Sequence, residues 1–381
     1  MASPSLPPST FEAAFGADPE LASAARVAVS SALRLQPGEK VLIVANPCRD
    51  SIEISRALFD AVLDAEARPS LLVQPVKAQL DYAEETLIAA FESHPDVVMS
   101  ISAQKMGKDR SGLETPYEWD EVSYDHVFHY QLYGAKTLRA FWSPRITRDS
   151  FLRTVPIDYS ELRGRCRRIK EVLDKAERIR VTNPKGTDIT IGARGRSAFS
   201  DDGDFSQPGQ GGNLPAGEVF LSPELGTADG VIVFDGSISC VSGDLVLAKP
   251  VRAVVRGGFV AEVEGDSEAA EVRRSLEDGA ESARRLASEG RLSPEKGEQY
   301  ARNARNLGEL GIGLNPRARI TGNMLEDEKV LRTCHFAIGS NYDEDAPALV
   351  HFDGLVTEPT ITAYLPHGRE VVIERDGELL L

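Results

Sequence analysis

Within its first hundred residues the chain alternates short, almost wholly apolar runs with longer stretches whose apolar residues recur every three or four positions. The runs are Lys40-Val41-Leu42-Ile43-Val44-Ala45-Asn46, Ser70-Leu71-Leu72-Val73 and Asp96-Val97-Val98-Met99-Ser100-Ile101; Glu20 to Leu35, Ser51 to Ala67 and Ala83 to Glu92 precede and separate them. A strand with no polar alternation needs cover on both faces, and the intervening helices supply it. The pattern therefore predicts βαβ units and a parallel sheet. Gln36-Pro37-Gly38-Glu39 stops the first helix, and Asp50 can cap the second.

Such a sheet invites a nucleotide, but the turn after the first strand reads Asn46-Pro47-Cys48-Arg49. It has neither GxGxxG nor GxxxxGK, so the backbone has no glycine-lined approach to a phosphate. Charge closes another route. With 43 Lys+Arg against 59 Asp+Glu the formal net charge is -16, which disfavours nucleic acid and anionic membranes as partners. Arg163, Arg165, Arg167, Arg168 and Lys170 form a basic stretch inside Glu161 to Arg180. Without interleaved aromatics it reads as a solvated helix face pairing with Glu161, Glu171 and Asp174. No stretch is apolar for the roughly 18 residues a membrane span needs, and the N-terminus lacks a signal-peptide pattern, so a cytoplasmic location is expected. Cys48, Cys166, Cys240 and Cys334 are far apart with no CxxC spacing and read as reduced thiols.

From Ile179 the period changes. Arg180-Val181-Thr182-Asn183 and Asp188-Ile189-Thr190-Ile191 flank Pro184-Lys185-Gly186-Thr187, which is hairpin chemistry. Further strand-like runs follow, interrupted by a helical excursion from about Ser267 to Asn306. The expected architecture is a flexible tail over 1–19, an α/β domain with a parallel sheet over 20–158, and an α+β domain over 159–381. The last is expected to be largely antiparallel and to carry the chemistry.

Of six histidines, His94, His126, His129 and His367 sit in turns or short apolar segments and read as structural or exposed. His335 and His351 differ, because acidic residues surround them. His351 and Asp353 are two apart, so an extended segment places both side chains on one face, where they can chelate one ion. Glu309, in Gly308-Glu309-Leu310-Gly311-Ile312-Gly313, and Glu218, in Gly211-Gly212-Asn213-Leu214-Pro215-Ala216-Gly217-Glu218, are carboxylates in otherwise uncharged Gly/Pro-shaped loops. Burying either is costly unless it is paired or metal-bound.

The segments GGNLPAGEVF, GELGIGLNP, CHFAIGSNY and VHFDG, in that order, resemble the M29 aminopeptidases of the aminopeptidase T group. The resemblance covers roughly Asn183 to Asp376 and, more loosely, the first half, including Trp142-Ser143-Pro144-Arg145-Ile146-Thr147. It implies a metallo-aminopeptidase that releases N-terminal residues from short peptides. It also implies two divalent ions (Zn, Co, Mn or Fe), a homodimer, and the ligands Glu218, Glu309, His335, Tyr342, His351 and Asp353. Glu309 is the expected bridge, and a carboxylate at that position can take the proton of an attacking water. The loop from His335 to His351 is shorter than in the group, and a charged insertion from about Gly265 to Arg302 separates Glu218 from Glu309.

The 2,5-dihydroxypyridine dioxygenases share this architecture and use one Fe(II) held by two His and one Asp. There the position matching Glu309 is a His, and those matching Glu218 and His335 are not ligands, so the residues here lean towards hydrolysis. A mononuclear Fe(II) ring-cleaving dioxygenase, or another metal-dependent hydrolase on this scaffold, is the alternative. A non-catalytic binding protein would have no evident need for six ligand types.

Overall fold

The computed structural model describes residues 10–78 and 81–381. The expected tail therefore lies outside the described residues over 1–9, while Phe11–Phe15 is a short helix with Thr10 as its N-cap. The chain forms two compact units. One comprises the residues up to Tyr159 together with Gly203–Ala216, and the other Ser160–Asp202 with Gly217–Leu381.

The first unit is built on a five-stranded parallel sheet in the order Gly211–Asn213, Arg139–Trp142, Val97–Ile101, Lys40–Ala45, Arg68–Val73. Val41 to Ala45 and Val97 to Ile101 are buried throughout, as strands covered on both faces must be. On one side the helix Arg49–Asp64 buries Ile54, Leu58, Ala61 and Val62, a stripe at helical spacing. A second cluster joins Leu42, Val44 and Val98 to Leu87, Phe91, Phe128 and Leu132. Asn46 explains the missing phosphate loop. It is fully buried, its Nδ2 donates to the Gln74 carbonyl at 2.9 Å, and its Oδ1 accepts from the Ala103 amide at 2.7 Å. A side chain thus ties together the strand ends where a dinucleotide fold would leave backbone free.

The second unit contains two antiparallel sheets. The eight-stranded one begins with the Arg178–Thr182 and Asp188–Gly192 hairpin foreseen around Pro184-Lys185-Gly186-Thr187. The seven-stranded one runs Gly243–Val246, Ser237–Cys240, His351–Thr357, Thr333–Gly339, Leu307–Gly313, Glu218–Leu221, Phe199–Asp201. The sheets meet where Phe234, fully buried, fills the space a side chain at Gly354 would need. Arg165 with Glu161 and Lys170 with Asp174 pair along the basic helix, as its spacing predicts.

The charged insertion is a helical hairpin, Ser267–Ser288 and Pro294–Asn303. Gly279 of its first helix lets Val350 pack against it, and Asn303 Nδ2 of the second donates to the Pro347 carbonyl at 3.0 Å.

Candidate metal centre

Strand alternation and register assemble the candidate residues. In the seven-stranded sheet Ala337 faces Asp353 and Gly339 faces His351 across one ladder. Glu309 faces Ala337 and Gly311 faces His335 across the next, and Glu218 faces Gly313 across a third. Because side chains alternate, Glu218, Glu309, His335, His351 and Asp353 all project from the same face. The opposite face of the Thr333–Gly339 strand sends Cys334, Phe336 and Ile338 into the core.

The small residues between them are required by this crowding. A β-carbon on Gly311 would collide with the His335 imidazole, and one on Gly313 with the Val330 carbonyl. This corrects the expectation of loops: both Glu218 and Glu309 lie in strands. The glycines that suggest a loop instead make room for neighbours across the sheet.

Glu309 stands at the middle. Its Oε1 is 3.2 Å from His335 Nε2 and its Oε2 is 3.3 Å from His351 Nε2. His335 Nε2 also lies 3.5 Å from Glu218 Oε2, and His351 Nε2 3.4 Å from Asp353 Oδ1. His351 Nδ1 is 2.9 Å from the Ser340 carbonyl, so it donates there and leaves Nε2 to the carboxylates. Among the described residues two groups have ligand atoms mutually within 4.8 Å, Glu218–Glu309–His335 and Glu309–His351–Asp353.

The residues fit a metal on a direct observation. Glu218 Oε2, Glu309 Oε2 and Asp353 Oδ1 are buried without a hydrogen-bond partner. Acceptors left unpaired in the interior are costly, and a cation satisfies them.

Electrostatics agree. Burial is the largest influence on Asp353 and would raise its carboxyl, but the charge of His351 close by outweighs it and holds its pKa at about 2. Burial likewise opposes ionisation of Glu309, and His335 and His351 together keep it below the ordinary range. The imidazoles respond in turn. Burial alone would lower His335, yet the Glu309 hydrogen bond and the Glu218 charge push it up to about 9. Against the same burial, Asp353 and Glu309 raise His351 well above its usual value. Without a metal the cluster is thus a set of carboxylates neutralised by imidazolium protons that an incoming ion would displace.

Tyr342 is placed beside this group, its ring edge-on to His351 at 5.6 Å and 4.8 Å from Phe220. Desolvation and the negative charge of Glu309 and Asp353 raise its phenol well above the ordinary value. A bound cation would reverse that field.

Three further charged residues join the cluster. Lys329 is fully buried, with Nζ 2.5 Å from Glu218 Oε1, 2.7 Å from Glu328 Oε1 and 3.5 Å from Asp201 Oδ2. Burial, foremost, lifts Glu328 to about 8 and Asp201 to about 7. In sequence, Glu326-Asp327-Glu328-Lys329 looks like a solvated turn. The sole hint of burial is its position between Met324-Leu325 and Val330-Leu331.

Comparison with known proteins follows the same division of chemistry. The NicX family model, described as 2,5-dihydroxypyridine 5,6-dioxygenase, matches residues 24–337. That range includes Glu218, Glu309 and His335 and stops before His351. The structure of 2,5-dihydroxypyridine dioxygenase from Pseudomonas putida KT2440 is similar at a TM-score of 0.68 and 15% identity, covering 94% of this chain and 96% of that one. Wild-type AmpT from Thermus thermophilus is similar at a TM-score of 0.64 and 18% identity, covering 95% and 99%. At these identities both likenesses speak for the fold. No curated protein sequence matches. The motif resemblance put the aminopeptidases first, whereas the family match falls on the dioxygenase group.

Proposed function

The chain belongs to the 2,5-dihydroxypyridine 5,6-dioxygenase family, and from that premise we propose that it is a metal-dependent enzyme opening a hydroxylated pyridine or a closely related ring with molecular oxygen. The ion is held by Glu309, His351 and Asp353. The observation that carries the reading is the convergence of those three side chains, two of them with buried oxygens that lack any hydrogen-bond partner. The donor set departs from two His and one carboxylate, since Glu309 stands where the family pattern has an imidazole.

A bound iron(II) supplies a Lewis acid and the one-electron chemistry that dioxygen requires. The chain's own residues do the rest. Ser340 fixes the tautomer and orientation of His351. Glu309 Oε1 faces His335 Nε2, so the imidazolium of His335 keeps Glu309 ionised. Tyr342 stands beside His351 and Phe220 beside Tyr342, aromatic surface against which a flat ring can pack.

Peptide hydrolysis is the second reading, favoured by one observation. The two oxygens of Glu309 face different histidines, as a carboxylate shared by two ions would. Short peptides would then be the substrates and two divalent ions the cofactors. A homodimer and a cytoplasmic location complete the proposal by resemblance; among the described residues no helix is long and apolar enough to cross a membrane.

Oxygen uptake by the iron-loaded chain with 2,5-dihydroxypyridine, beside release of p-nitroaniline from aminoacyl-p-nitroanilides by the zinc-, cobalt- or manganese-loaded chain, separates the two. Oxygen-dependent loss of the ring supports the first. Hydrolysis with no oxygen uptake overturns it.

A further inference from the structure

Lys329 has no role in the chemistry above, yet it is the one buried lysine among the described residues. It follows the short helix Met324–Asp327, and its carbonyl accepts the Asn315 amide at 2.8 Å, fixing the backbone. Its ammonium is enclosed by Glu218, Glu328 and Asp201. Glu218 is at the same time a member of the Glu218–Glu309–His335 group, one of the two places where ligand atoms converge.

We propose that Lys329 is a built-in cation that takes the place of a second metal ion: by engaging Glu218 it leaves Glu309–His351–Asp353 as the single position that fills. The inference rests on the reading that those three residues hold a metal. Its physical basis is direct. Glu218 Oε1 is committed to the ammonium at 2.5 Å, which leaves Oε2 alone to serve a metal. A divalent ion beside that carboxylate would also lie within a few ångströms of a fixed positive charge in a poorly screened interior. One pair of unit charges at about 4 Å weakens binding on the order of a thousandfold at the effective dielectric of such sites. Arg and Lys differ here in the way that matters, since an ammonium is a compact point charge able to sit where an ion would.

The test counts ions. The metal-stripped wild-type chain is titrated with Mn(II) by calorimetry, and the loaded protein is examined by electron paramagnetic resonance. One tight ion per chain with an uncoupled spectrum is expected. In Lys329→Met a second ion should bind on the order of a thousandfold more tightly than in the wild type, with a spin-coupled spectrum. Two tight, coupled ions in the wild type would overturn the inference while leaving the metal reading intact, and so would a folded Lys329→Met that still holds one. No bound ion in the wild type would overturn the metal reading itself and this inference with it. Because the wild-type count needs no variant, a Lys329→Met chain that failed to fold would not shield the proposal.

Discussion

The imidazole of His335 occupies the space that a side chain at Gly311 would need. The two residues face each other across neighbouring strands, so the glycine is the seat of the histidine. Gly311→Ala should therefore overpack a site with nowhere to relax, costing about 1–3 kcal/mol of stability. Displacement of His335 should also weaken metal retention. Denaturant unfolding with and without added metal measures both, and an unchanged midpoint would show that the histidine does not need the gap.

Asp353 is held as a carboxylate by His351 and has a buried, unpartnered oxygen. Loss of an outer partner of a metal ligand costs about 10–100-fold in affinity, and loss of a ligand should exceed that. Asp353→Asn is expected to lower metal affinity by more than about a hundredfold, read by competition with a chromogenic chelator. Glu309→Gln should abolish turnover under either proposed chemistry.

The pH dependence of the metal-free protein has a definite sign. His335 is raised from 6.5 to about 9 in the fold, so the stability it contributes is complete below about 6.5 and is lost as pH rises through about 9. Metal affinity should also climb with pH, because an ion held by Glu309, His351 and Asp353 must displace the proton of His351, whose pKa is raised well above its usual value. Asp353 acts at the other end: depressed from 3.8 to about 2, it contributes stability above 3.8 that is lost as pH falls through about 2. Denaturant midpoints in the presence of chelator, across both windows, check the two signs.

In the first unit Arg139 is buried with its Nη1 and Nη2 donating to the two carboxylate oxygens of Glu39 at 2.7 and 2.8 Å, and its Nε donating to the Leu33 carbonyl at 3.3 Å. Glu39 is only partly buried, so leaving its charge and hydrogen bonds unpaired costs about 1–3 kcal/mol. Arg139→Ala should thus destabilise the parallel-sheet unit, visible as early loss of amide protection in Lys40–Ala45 and Val97–Ile101. Unchanged protection in those strands would contradict it.

Local pattern made part of this structure legible. The apolar runs at Lys40 and Asp96 could only be covered strands, and the Pro184-Lys185-Gly186 turn could only join a hairpin. The histidine–aspartate pair at 351 and 353 was visible because period two places both on one face. What stayed hidden depends on distant partners. Glu218 and Glu309 stand out by their uncharged, Gly-rich surroundings, but their places on paired strands come from Glu218–Leu221 pairing with a strand some ninety residues later. Gly211–Asn213 joins the parallel sheet from beyond the first strands of the other unit. Lys329 sits in a run of charge that would be solvated anywhere else, and only its three carboxylates account for its burial. The motifs around the site pointed to the aminopeptidases, whereas the family match, which spans Glu218, Glu309 and His335, falls on the dioxygenase group.

The helical hairpin Ser267–Asn303 entered as an addition to the chain, yet Gly279 and Asn303 press on Val350 and Pro347. Those residues lie in the connection that carries the chain from His335 to His351. The insertion is therefore a brace on the connection leading into the His351 strand, although it supplies no atom to the cluster.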